Sequence, residues 1–147
     1  MEYDLEYIKY LKTDELVDII SNIWGFEETS GTLLELERRD LQKALHLGME
    51  ILENNKGDDY LQASVWDFIF SIDPENVLNC LDKRKEKLGK VLLYDILQEL
   101  NGKFYIKDIK CLPKTIIRKI FQAYNEFVEE EDSELKKEFI EFSNSVV

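Results

Sequence analysis

The chain has 147 residues, 44% hydrophobic and 34% charged, which is one domain's length with a core that needs no disulfides. Its 31 acids and 19 bases leave a net charge of −12, which argues against a dedicated nucleic-acid binder needing a basic face. No apolar run approaches the ~20 residues of a bilayer span, and the acidic start Met1-Glu2-Tyr3-Asp4 is unlike a signal peptide, so a cytoplasmic location is expected.

The predicted elements are all helical. Leu5, Ile8 and Leu11 mark a short first helix. Thr13 is placed to cap the next, with Asp14 and Glu15 in its first turn and a stripe of Leu16, Ile19, Ile20, Ile23 and Trp24 ended by Gly25. The residues after Gly25 read as a loop, and the next strong helix spans about Arg39 to Asn54 on Leu41, Ala44, Leu45, Gly48, Ile51 and Leu52. Asp58 or Asp59 caps a helix with Leu61, Val65, Phe68, Ile69 and Ile72 inward. Asp73-Pro74-Glu75 is a strong start signal for a helix using Val77, Leu78 and Leu81, which dissolves into Lys83-Arg84-Lys85. Gly89 precedes a helix on Leu92, Leu93, Ile96, Leu97 and Leu100. The stretch from Lys103 to Leu112 reads as a loop or short strand. Pro113 opens a helix with Ile117, Ile120, Phe121, Tyr124 and Val128, and Ser133 caps a last one with Leu135, Phe139 and Phe142 inward.

These signals predict a single all-α domain over residues 1–147, seven or eight short helices in antiparallel hairpins, HEAT-like or an irregular helical bundle. Charge is uneven along it. Residues 1–73 hold 17 acids and 6 bases, residues 82–119 hold 5 acids and 11 bases, and residues 120–147 hold 8 acids and 2 bases.

No motif for catalysis, metal or cofactor emerges, so none of the three is expected. The lone histidine, His46, lies between Leu45 and Leu47 and reads as a core or boundary residue. Cys80 and Cys111 read as packed, reduced thiols, and Trp24 and Trp66 as core. No phosphate-cradling glycine loop, nucleophile elbow, EF-hand loop or Glu-x-x-His pair is present. The basic stretch Lys83-Arg84-Lys85, Lys87 and Lys90 lacks the interleaved aromatics of an RNA site. What remains is acid at predicted helix junctions: Glu27 and Glu28, Asp58 and Asp59, and Glu129, Glu130, Glu131 and Asp132. These are the candidate partner-binding residues, since loops at helix ends concentrate function.

The stretch Ile23-Trp24-Gly25-Phe26-Glu27-Glu28, then Leu41-Gln42-Lys43-Ala44-Leu45, then Tyr60-Leu61 to Asp73-Pro74-Glu75 resembles small all-helical bacterial immunity proteins. These are the HEAT-like proteins of polymorphic toxin and contact-dependent inhibition loci. The resemblance covers residues 14–100 and lies in size, acidity and helix order. It implies a monomeric inhibitor that binds a cognate toxin C-terminal domain one-to-one, a basic nuclease-type domain whose phosphate-attracting groove an acidic surface would fill. It implies no direct contact with nucleic acid or membrane. The alternative is a helical adaptor or scaffold for an endogenous protein partner.

Overall fold

A computed structural model describes residues 6–23, 25–102 and 112–146. A 3₁₀ turn, Glu6–Tyr10, leads into eight α-helices. These are α1 (Thr13–Asn22), α2 (Phe26–Arg39), α3 (Leu41–Glu53), α4 (Asp59–Phe70), α5 (Pro74–Lys83), α6 (Lys90–Asn101), α7 (Lys114–Phe127) and α8 (Ser133–Val146). No strand occurs among the described residues, so the all-α expectation holds. The expectations for Met1 to Leu5, Trp24, Cys111 and the Lys103 to Cys111 segment lie outside the described residues.

Local expectations change, first at Gly25: it precedes α2, whereas Ile23, in a left-handed backbone conformation, closes α1. The first predicted helix is only the 3₁₀ turn, with Ile8 inward. Thr13 is the first helical residue rather than the cap, and the Glu15 side chain accepts from the Lys12 backbone N–H instead. The predicted loop after Gly25 is α2, a full helix of 14 residues. Its buried positions are Thr29, Thr32, Leu33 and Leu36, a helical i, i+3, i+4, i+7 stripe in which threonine occupies two apolar places. The Thr32 hydroxyl is satisfied by the Glu28 carbonyl at 2.5 Å, so it enters the interior without a stranded donor.

Two of the predicted caps form, Asp58 and Asp73, and Asp40 adds a third. Asp40, Asp58 and Asp73 each accept from a backbone N–H three residues on, starting α3, α4 and α5. At α8 the capping side chain is Asp132, which accepts from the Leu135 N–H, not Ser133. Val128, expected inward, is exposed because α7 ends one residue earlier.

Packing runs in two rows. Helices α2, α4, α6 and α8 touch in that order, as do α3, α5 and α7, and most sequence neighbours also pair. This is a short stack of hairpins, as short connections favour. Helix α4 lies in the middle, against α2, α3, α5 and α6, which is why it buries residues on most of its circumference. Trp66 and Phe70 on it are fully interior, their rings stacked with centroids 4.4 Å apart. At Gly48 on α3 a Cβ would stand 2.9 Å from Ile69 of α4, so glycine permits that close approach. A second aromatic group, Phe121, Tyr124, Phe139 and Phe142, joins α7 to α8.

Candidate functional site

Of the predicted acidic residues, Glu27 and Glu28 occupy the first turn of α2 rather than a loop. They complement the positive end of that helix, and the Glu28 carboxylate folds back over Gly25. Asp58 is consumed as the cap of α4. Asp59 crosses to another helix: its carboxylate accepts the backbone N–H groups of Val91 at 2.6 Å and Leu92 at 3.1 Å. It thereby caps α6 from outside that helix, where Gly89 offers no side chain to do so.

The third cluster converges on the same place. Lys90, at the start of α6, pairs with Glu130 at 3.2 Å and Asp132 at 3.1 Å. These two acids and their attraction hold the lysine ammonium above its ordinary range, while Asp132 is held below the usual carboxylate range by the Leu135 N–H and Lys90. Lys87 pairs with Glu126 at 2.5 Å. Glu129 and Glu131 remain exposed, the latter in a left-handed backbone conformation that closes the turn. Two of the three predicted clusters therefore serve the start of α6: Asp59 ties α4 to it, and Glu130 and Asp132 tie the α7–α8 junction to it.

In the basic stretch Lys83-Arg84-Lys85, Lys87 and Lys90, arginine is the buried member, while Lys83, Lys85 and Lys87 are exposed. Arg84 is only 2% exposed. Its guanidinium donates to the Leu52, Glu86 and Lys87 carbonyls and to the side-chain oxygens of Asn55 and Gln62, at 2.6–3.1 Å. Burial pushes its pKa down from the usual arginine range, opposed by nearby Asp59 and Glu86. Lys119 of α7 in turn donates to the Leu81, Asp82 and Arg84 carbonyls. Sequence reasoning missed this clasp. A lone arginine in a run of lysines carries no signal of burial, and its partners lie up to 32 residues away.

Two further groupings stand out. Asp67 of α4 and Asp95 of α6 share a hydrogen bond, with Glu99 beside them. Partial burial, that bond and the neighbouring charges push Asp67 up to about 7, and burial raises Asp95 and Glu99 as well. Two adjacent carboxylates cannot both ionise without penalty, so they retain a proton near neutrality.

The second grouping is a groove of about 440 Å³ along α1, lined by Tyr7, Leu11, Asp14, Glu15, Asp18 and Ile19. A neighbouring hollow shares Asp14 and Asp18 and adds Thr13, Val17, Ser21, Asp40 and Lys43.

His46, read as a core or boundary residue, is exposed and faces Glu50 at 3.1 Å, one turn on along α3. Cys80 is partly buried, and burial together with Glu53 raises its thiol pKa, which keeps it protonated and unreactive. Trp66 lies in the core as expected. Among the described residues no group of three His, Cys, Asp or Glu side chains could hold a metal ion, and no helix is long and apolar enough to cross a membrane. No protein-family model, curated protein or solved structure matches the chain.

Proposed function

We propose that the chain binds a basic protein surface and, within that class, is an immunity protein that occludes the active or substrate-binding surface of a cognate toxin domain. One observation supports this reading above the rest: most acid on α1 and α2 stays without a basic partner within the fold, and on α1 it lies beside an apolar groove. Near the C-terminus, Glu126, Glu130 and Asp132 meet Lys87 and Lys90 within the fold. On α2, Glu35 pairs with Arg38 and Arg39. Among the described residues, Asp14, Asp18, Glu27, Glu28 and Glu37 have no Lys, Arg or His within ion-pair distance. A field of one sign on one part of a small protein steers a partner of the other sign and rejects like-charged ones. The toxin-neutralising role adds to this physical argument the resemblance in size, acidity and helix order.

The test is titration calorimetry and stopped-flow mixing with the purified C-terminal domain of the neighbouring reading frame's product. We expect a one-to-one complex whose association slows at least about tenfold between low and high salt, and cells protected from the domain by co-expression. Absence of a complex overturns the reading. Cells lacking the gene that stay insensitive to the toxin domain would assign the acidic surface to an endogenous partner, the adaptor role.

A further inference from the structure

We propose that the groove along α1 is the docking site for an amphipathic segment of a partner protein, one that sets apolar side chains beside lysine or arginine. This rests on the reading that the chain binds a basic protein, and deepens it by assigning the contact to one surface and one chemistry.

The groove has two chemically distinct parts. Its floor is apolar: Ile19 is buried at 3%, Leu11 is half-buried, and Tyr7 leaves 43% of its surface open. Its rim is acidic: Asp14, Glu15 and Asp18 line it, and no lysine or arginine is among the described residues that do. Asp14 and Asp18 are one helical turn apart, so their carboxylates stand side by side along the edge. An occupant must therefore bring apolar surface to the floor and positive charge to the rim. Phosphate-bearing ligands are repelled by that rim, and a purely apolar ligand would strip water from three carboxylates without replacing it. A cationic amphipathic segment satisfies both parts, in the manner of a helix laid in a groove.

The groove is also held in shape. Arg39 of α2 reaches across to the 3₁₀ turn, donating to the Leu11 carbonyl at 2.6 Å and the Lys9 carbonyl at 2.9 Å. Glu35 holds that guanidinium from behind at 3.1 Å. Behind α1, Leu16, Ile19 and Ile20 are buried, so neither wall needs to be ordered when a partner arrives. The volume of about 440 Å³ lies within the ~300–1,000 Å³ of ordinary ligand clefts and can take several large side chains.

The experiment titrates the isotope-labelled full chain with an amphipathic peptide of leucine and lysine only, about 18 residues long, followed by amide chemical shifts. A leucine–glutamate peptide is the control. We expect shifts centred on Tyr7 to Ile19 that saturate at one peptide per chain, and none with the control. D14N/D18N should weaken binding about tenfold, Y7A should weaken it by removing floor, and E129Q/E131Q should leave it unchanged. Circular dichroism verifies that each variant is folded, and the two asparagine substitutions disturb no core residue. Shifts spread over all acidic surfaces, or equal affinity in D14N/D18N, would overturn the proposal.

The same variants separate it from the broader reading. A toxin domain that binds D14N/D18N as tightly as the unaltered chain overturns the groove while sustaining the immunity role. A peptide confined to the groove with no toxin domain bound sustains the groove and overturns that role.

Discussion

The guanidinium of Arg84 is enclosed and held almost wholly by neutral oxygens: three carbonyls and two amide side chains. These partners belong to the end of α3, the start of α4 and the connection before α6, so one side chain ties three parts of the chain. We expect Arg84→Met to cost about 3 kcal/mol, a fall in Tm of roughly 10 °C by calorimetry, because the buried acceptors lose their donor. Arg84→Lys should recover only part, since an ammonium cannot reproduce the planar fork. The Asp67–Asp95 pair gives a second residue-scale expectation. Asp67 sits at about 7 in the fold against an ordinary 3.8, so between those values the folded chain binds more protons than the unfolded one. Its stabilisation is complete at acidic pH and is lost as pH rises through about 7. Asp67 is enclosed on the side that meets α6 but still leaves more than a third of its surface to water, so screening reduces the effect to about 1 kcal/mol. Thermal unfolding from pH 5 to pH 8 should therefore show a fall that is smaller in D67N.

At the scale of elements, the start of α6 depends on a residue from α4. The Asp59 carboxylate lies so close above Gly89 that a Cβ there would collide with it, while two N–H groups pin it from the other side. We expect Gly89→Ala and Asp59→Ala each to lower stability by about 1–2 kcal/mol in urea unfolding. The double variant should cost little more than either alone, because both remove one contact. The sequence marked Asp59 and Gly89 as helix-junction residues, but their meeting is a tertiary fact that no local pattern records. Helix α2 was illegible for another reason. Thr29, Ser30, Gly31 and Thr32 are poor helix formers, and they hide a correctly spaced stripe that ends in Leu33 and Leu36. By contrast α3, α5, α6 and α7 were legible because leucine, isoleucine and valine fill most of the inward places and Asp or Pro stands at three of the starts.

For the whole molecule, the net charge of −12 conceals an internal exchange. The acidic turn Glu129–Asp132 was legible as a charge run, yet two of its acids, Glu130 and Asp132, pair with Lys90 at the start of α6. Composition reports how much charge there is; folding decides which part of it is spent within the chain. Exposed acid without a basic partner remains in both halves, at Glu129 and Glu131 as at Asp14 and Asp18, but on α1 it borders an apolar groove. We expect reversal of Asp14 and Asp18 to lysine to slow association with a basic toxin domain more than tenfold, an effect that vanishes at high salt. Reversal of Glu129 and Glu131 should change the rate less than about twofold. Stopped-flow mixing at two ionic strengths decides between them. The candidate site was thus only partly readable: the sequence singled out Glu27 and Glu28, which do not line the groove, whereas Asp14, Glu15 and Asp18 passed as ordinary acids of a helix. Their distinction lies in the apolar groove beside them, made by the 3₁₀ turn, which the local sequence does not announce.

The seating of Arg84 also bears on how the chain meets a protease. Lys83, Arg84, Lys85 and Lys87 form the densest run of tryptic sites in the sequence. A scissile segment must be drawn out straight to enter the enzyme, but this one is anchored inward by the Arg84 side chain and held at its carbonyl by Lys119. The run that invites cleavage in an unfolded chain is thus protected in the folded one. The first appearance of fragments ending there would time the opening of the clasp, ahead of any change in overall helix content.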